Sequence, residues 1–474
     1  MNEASPAIRR AVLSAAILGS FVTPFLGSSI NLALPRIGRE FSLDAVALGW
    51  ISTSYLLSAA AFLLPMGRLA DLYGRKRLYL IGIALFVAAS AVTALAPSLG
   101  FLLFGRLFQG LASSLLFGTG IALLTAVFPP GERGRALGLT VASVYAGLSL
   151  GPVLGGLITE HLGWRWIFWS MVPLGSAVFF YLARKVAAEW KGPPGQGFDL
   201  AGTFSYVLAL AALVFGLSQP LATHGQICLG LGLAGLALFI AIEAKTPHPL
   251  LPLDLFLRNR VFAFSNLAAF ISYSATFAVT FLLSLYLQEV LGRSPHQAGL
   301  ILVVQPVLMV LFSPFAGRLS DRVEPRHVVS SGMALSCIGL FIFSRLHGQV
   351  SVGWVILGLV PQGIGLALFS SPNANAIMGS VGPKHLGVAG AMIGTMRLTG
   401  QLTSMALAML VFSLKLGREK LGPDNLDAYL SGQSLIFLLF TGLGLFGIWC
   451  SQQRGGKRPP QGQELPQAPP PATD

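Results

Sequence analysis

The sequence predicts an all-α polytopic membrane protein with fourteen transmembrane helices, built as two six-helix bundles with two further helices inserted between them. Three observations predict it: the composition, the length of the apolar runs, and an internal repeat. Of 474 residues, 54% are hydrophobic and 10% charged, with 55 glycines and a mean hydropathy of +0.72. That balance is foreign to soluble domains and natural in a lipid bilayer. Inside lipid a chain must satisfy its own backbone, and these runs are continuous rather than alternating with period two, so helices follow and a barrel does not.

Crossing a hydrocarbon core of about 30 Å takes roughly 20 apolar residues. Runs of that kind are centred at 12–34, 46–66, 78–96, 99–123, 137–159, 166–182, 200–218, 227–242, 262–288, 298–316, 328–346, 352–378, 386–414 and 434–450. The first follows Arg9 and Arg10 and continues without a small-residue cleavage site, so it reads as a retained span and not a signal peptide. The last gives way to a Pro- and Gln-rich tail with no apolar periodicity, expected to be disordered.

A net charge of +13 would suggest nucleic acid in a soluble protein, but the position of the charges is what informs here. With the N-terminus in the cytoplasm, 21 of the 31 Lys and Arg fall in cytoplasmic segments and eight outside, while Arg106 and Arg397 lie within spans. This asymmetry places both termini in the cytoplasm, in a plasma or inner membrane, and leaves nucleic acid no role as a partner. Cys228, Cys337 and Cys450 sit in apolar runs without paired spacing, so neither a metal nor a cofactor is expected.

The repeat is read from three landmarks. "GRLADLYGRKRLYL" from Gly67 returns as "GRLSDRVEPRHVV" from Gly317; Arg106-Leu-Phe-Gln109-Gly110 faces Leu359-Val-Pro-Gln362-Gly363; Gly138 faces Gly390. Their near-constant offset of about 250 residues makes spans one to six and nine to fourteen two copies, an architecture of secondary transporters whose site lies between the halves. The chain divides into an N-terminal segment 1–10, a first bundle 11–183, a linker with two extra spans 184–261, a second bundle 262–451 and a tail 452–474.

In the loop after span two, Gly67 and Gly74 are expected to reverse the chain, while Asp71 accepts from a helix N-terminus or pairs with a local arginine such as Arg75. Gly317, Arg318 and Asp321 repeat the pattern, so each half has its own breakable latch. Span five carries Gly138, Gly147, Gly151, Pro152, Gly155 and Gly156, a spacing that sets glycines on one face for close backbone approach.

These stretches, with "GRLFQGLASSLLFGTG", "GLTVASVYAGLSLGPVLGG", "NLALPRIGREF", "FDLAGTFS" and "HPLLPLDLFLRNRVFAF", resemble the fourteen-span drug:proton antiporter branch of the major facilitator superfamily over about residues 10–450. The resemblance implies the major-facilitator fold and a rocker-switch exporter of amphipathic small molecules driven by protons. It further implies a gating loop at Gly67, Asp71, Gly74 and Arg75, a coupling role for Arg106, and a hinge helix at Gly147, Gly151, Pro152, Gly155 and Gly156.

Proton coupling needs a carboxylate inside the protein. All eighteen acids fall in loops, tails or span ends, and Leu26 occupies the place, five residues before Asn31, where members of that branch often carry an Asp. Glu160 and Glu289, at the outer ends of spans five and nine, are the remaining candidate proton carriers. A charge near mid-membrane costs about 2.5–3.5 kcal/mol, so Arg106 and Arg397 are expected to face the bundle interior. Arg106 and Arg397 with Gln109, Asn31, Gln362 and Tyr273 form the candidate cavity set, joined by Tyr145. An arginine-lined cavity without an acid suits neutral or anionic amphiphiles, so export or facilitated passage of an anionic or neutral metabolite or lipid, without proton antiport, stands as the alternative. No nucleophile constellation, metal-ligand cluster or phosphate-binding loop marks an enzyme or a nucleotide-driven pump. A monomer in the bilayer is expected.

Overall fold

The computed structural model describes residues 5–191, 197–247, 249–251, 253–348, 350–382, 386–417, 419 and 425–455. Among the described residues there are helices and no strands, and fourteen segments are long and apolar enough to cross a membrane. In chain order, spans 1 to 14 are Pro6–Phe41, Ala45–Tyr73, Arg75–Ala94, Leu99–Val127, Gly138–His161, Arg165–Lys185, Leu200–Ser218, Thr223–Glu243, Arg260–Val290, Pro295–Ser320, Pro325–Ser344, Val352–Gly379, Val388–Lys415 and Leu426–Gln452. An even number of alternating spans puts both chain ends on one side, the terminal face; the opposite side is the far face.

Short polar residues start the helices. Asp44 accepts from the Ala47 amide at 2.7 Å, Asp199 from Gly202 at 2.8 Å and Asn259 from Phe262 at 3.0 Å, each taking up an N–H that the first turn leaves free. Ser294 and Gln297 form a reciprocal capping box at the start of span 10. The helices outrun the apolar runs at both ends of the chain: span 1 begins at Pro6 behind Ser5, and span 14 continues to Gln452. Residues 456–474, the bulk of the tail expected to be disordered, lie outside the described residues.

Packing follows the repeat. In the first half span 5 packs on span 1, and span 4 on spans 2 and 3; in the second, span 13 packs on span 9, and span 12 on spans 10 and 11. Between the halves, span 2 meets span 13 and span 5 meets span 10, the same contact made twice by corresponding helices. Span 7 touches spans 2 and 13, whereas span 8 packs on span 7 and presents Ile227, Leu231, Leu233 and Leu238 outward.

Hydrogen bonds across the halves gather toward the far face. Ser284 donates to the Asn31 carbonyl at 2.7 Å, Gln288 to the Leu32 carbonyl at 3.2 Å, and Arg39 pairs with Glu289 at 2.9 Å. Gln288 and Glu289 sit on a widened π turn, Tyr286–Val290, that ends span 9 and aims them at span 1. The far face is therefore closed.

Candidate functional site between the two halves

At the terminal face, Gly74 alone makes the reversal expected of two glycines. Its φ of +120° is open to glycine, and a Cβ there would strike the Glu189 carboxylate. Glu189 needs that room because it accepts from the amides of Lys76 and Arg77, at 2.9 and 3.0 Å, capping span 3. Asp71 takes the other expected partner, Arg75, at 2.9 Å, and Arg75 Nη1 reaches the Ala122 carbonyl of span 4 at 3.1 Å. The clasp thus joins spans 2, 3 and 4 within one half. Gly67 and Gly317, expected in turns, lie inside helices; Gly67 is where the backbone of span 2 comes close to Gly118 of span 4. Arg318 is exposed, and the Asp321 side chain lies outside the described residues.

Span 5 uses its glycines on two faces. A Cβ on Gly147 would meet the Phe21 carbonyl, one on Gly151 the Phe25 carbonyl, and one on Gly155 would lie 2.6 Å from the Ser29 Cα, so this stripe lets spans 5 and 1 touch backbone to backbone. Ser29 Oγ donates to the Gly151 carbonyl at 3.0 Å across that seam. Gly156 faces the other half, where a Cβ would enter the Pro295 carbonyl, and Gly299 of span 10 is likewise pressed on the carbonyl of Pro152. The helix continues through Pro152 without a break.

Arg106 was expected at the cavity and is instead sealed inside the first half, 1% exposed. Its Nε donates to the Ile51 carbonyl at 3.0 Å and its Nη1 to Gln109 Oε1 at 3.0 Å, while its guanidinium lies 4.5 Å from the centre of the Tyr55 ring. Gln109 Nε2 donates onward to Ser90 Oγ at 2.9 Å, and Tyr55 donates to Ser113 Oγ at 2.9 Å. At this depth no water replaces a missing partner, so the charge folds inward onto an acceptor of span 2 and onto Gln109 of its own span, which is in turn anchored to span 3. Gln109, Gln362 and Asn31, also expected in the cavity, are buried as well. Asn31 Oδ1 accepts from Ser52 Oγ at 3.4 Å, and neither amide atom of Gln362 has a partner.

Arg397 keeps its expected place. It lies midway along span 13, half-buried, with its guanidinium 5.1 Å from the ring centre of Phe117 in span 4. Among the described residues it has no carboxylate within ion-pair distance and no hydrogen-bond partner. Tyr145 of span 5 and Ser370 of span 12 hydrogen bond across the halves at 3.1 Å, and Tyr273, edge-on to Phe369, also borders the region. These partly exposed side chains form a polar and aromatic group between the halves, with one positive charge that no described carboxylate pairs.

The model of the Major Facilitator Superfamily matches residues 16–264 and 265–471. The chain belongs to this superfamily. The two matched stretches divide close to the boundary between the inserted spans and the second half. The riboflavin transporter RibZ of Clostridioides difficile is 29% identical over 440 residues, covering 92% of this chain and 95% of the relative. The multidrug resistance protein Stp of Mycobacterium tuberculosis is 31% identical over 433 residues, covering 88% and 80%. The cephamycin export protein CmcT of Amycolatopsis lactamdurans is 33% identical over 404 residues, covering 82% of each. Among solved structures, an auto-inhibited POT family peptide transporter superposes with a TM-score of 0.71 at 18% identity, over 95% of this chain and 96% of that one. The protein is a major facilitator transporter with fourteen candidate spans, not an enzyme.

In this transporter the two far-face acids are already engaged. Glu160 accepts from Ser294 Oγ at 2.6 Å and from the His296 amide at 3.1 Å, tying span 5 to the start of span 10, and Glu289 holds Arg39. Both act as clasps between the halves in this conformation. Sequence reasoning did not single out Tyr55, Phe117, Ser284 or Ser370; each is an ordinary span residue whose position is revealed only by its neighbour in space.

Proposed function

We propose that this superfamily member exports amphipathic small molecules across the plasma or inner membrane by alternating access, holding their neutral or anionic polar end at Arg397. The observation that carries this reading is the Arg397 guanidinium beside Phe117, without a carboxylate partner among the described residues and in the same region as Tyr145, Tyr273 and Ser370. An arginine presents planar donors to a carboxylate or carbonyl, and aromatic walls take an apolar body. The terminal face is cytoplasmic by the charge asymmetry of its loops, so a closed far face leaves this region ready to load from inside. The Asp71–Arg75 clasp acts as the gating element, span 5 as the hinge helix, and the bilayer and a single copy of the chain suffice.

The driving ion is the proton, as the resemblance to the drug:proton antiporter branch implies. A second reading, passage without antiport, is favoured by one observation: among the described residues no carboxylate pairs with Arg397. Proteoliposomes with an imposed pH gradient and an internal dye separate the two when cationic, neutral and anionic amphiphiles are added in turn. Dissipation of the gradient by a compound only with wild-type protein supports antiport; movement of labelled compound with the gradient intact overturns it. Arg397→Ala is expected to reduce transport of anionic compounds by about tenfold or more and to spare cationic ones, whereas equal loss for both would remove Arg397 from the binding site.

A further inference from the structure

A second pair of acids lies buried where the inserted spans meet the terminal face. Asp199 starts span 7 and Glu243 ends span 8; they are 8% and 3% exposed. Each spends one oxygen locally: Asp199 Oδ1 accepts from the Gly202 amide at 2.8 Å, and Glu243 Oε2 from the Leu251 amide at 2.8 Å. The other two oxygens, Asp199 Oδ2 and Glu243 Oε1, are buried without a donor among the described residues. They converge over the Cα of Gly202, where a Cβ would strike both, and the two carboxyls are within hydrogen-bonding reach of one another. Two acceptors in such contact, shut from water, are satisfied when one proton lies between them.

We propose that Asp199 and Glu243 form a proton-binding site, one proton bridging Oδ2 and Oε1, and that its occupancy holds the following strap on the seam between the halves. The strap is held through the Leu251 amide on Glu243. Its side chains Leu250, Leu251, Leu255 and Phe256 pack with Leu64 of span 2 from one half and with Phe262, Ile377, Ala389 and Met392 of spans 9, 12 and 13 from the other. Loss of the proton leaves two carboxylates facing each other in a low-dielectric site, and the movable one is Glu243, which carries the strap.

Among the described residues no ion pair to Asp199 or Glu243 is formed. Arg68 of span 2 donates from Nε to the Gly197 carbonyl at 3.1 Å. Around the strap, Lys245 is exposed and Asp254 pairs loosely with Arg258 at 3.8 Å, both exposed. The described titratable side chains of span 13 are Arg397 at mid-span and Lys415 at the far end. The site rests on the two-halved architecture alone and is independent of what Arg397 binds.

The test uses the full-length protein in lipid, with Asp199→Asn, which keeps the helix cap, and Glu243→Gln as separate variants. Infrared spectra are expected to show a protonated carboxyl in the wild type at about pH 6 that disappears in either single variant, because one proton is shared by both residues. Amide exchange at Leu251, corrected for its intrinsic pH dependence, is expected to lose about tenfold protection in the wild type between about pH 6 and about pH 8, and to stay flat in Glu243→Gln. A wild type lacking the carboxyl signal, or a signal surviving both variants, overturns the site. A response to sodium or potassium chloride at fixed pH would instead make it a cation site, and a flat Leu251 profile would sever it from the strap.

Discussion

The two copies of the six-span unit have kept their layout and parted in how they seal it. In the first half, span 5 lies on span 1 through three glycines, Gly147, Gly151 and Gly155; in the second, span 13 lies on span 9 through Gly400, whose Cβ would meet the Phe270 carbonyl at 2.6 Å. A similar contrast holds one helix earlier. Arg106 and Gln109 of span 4 are knitted to Ile51 and Ser90, while Leu359 stands at the arginine's place in span 12 and Gln362 has neither amide atom satisfied. At these two places the first half is held by more backbone contact and side-chain bonding, whereas the second half makes its close backbone approaches elsewhere, between spans 11 and 12 at Gly332, Gly339 and Gly365, which teaches that duplication preserved topology while the internal cement moved.

The largest effect expected from breaking this contrast is in the glycine seam. Gly155→Leu should cost at least about 1–3 kcal/mol and suppress folded yield, whereas Gly390→Ala, where a Cβ meets nothing within 4 Å, should stay within about 0.5 kcal/mol. Fluorescence-detected size exclusion and thermal melting would show it, and equal losses would erase the distinction. Next in size, Arg106→Leu strands the buried Gln109 Oε1 and should cost about 1–3 kcal/mol. Its counterpart test, Gln362→Leu, removes unsatisfied atoms and should leave the melting temperature equal or higher; a drop would mean that the amide is bonded after all.

The terminal-face clasps should differ less. Asp71→Asn loses a partly exposed pair worth about 0.5–1 kcal/mol, so its melting curve should barely move while transport slows, and the exposed Arg318→Gln should move neither. A further small change is expected at Arg454, beyond span 14, which is 2% exposed with no guanidinium nitrogen bonded among the described residues. Burial pushes its pKa down, so the folded protein holds that proton less tightly than the unfolded chain, and stability rises with pH as the proton is lost. Arg454→Met should therefore raise the melting temperature at neutral pH by a degree or two, on the order of 0.5 kcal/mol, and flatten its alkaline rise; a fall would identify a hidden anionic partner.

The fourteen spans and the repeat were legible because hydropathy and spacing are additive signals that survive without knowledge of neighbours. Gly67 misled because a glycine beside a charged loop serves equally as a turn residue or as a place for another helix to press, and only Gly118 opposite decides it. Arg106 was legible as an interior charge, but not as one turned inward, since its acceptors include a main-chain carbonyl 55 residues away. Asp199 and Glu243 looked like solvated span ends; they meet because two inserted helices run antiparallel, a relation that no local pattern encodes.

The closure of the far face has a consequence for how its residues can be found at all. Ser284 and Gln288 both bind main-chain oxygens of Asn31 and Leu32, so the receiving side offers no side chain to remove. Alanine scanning of span 1 would pass over that half of the lock in silence, and sequence drift at those two positions would leave it working. For these two bonds the donors on span 9 are the part that can be broken, whereas the Arg39–Glu289 pair can be broken from either side.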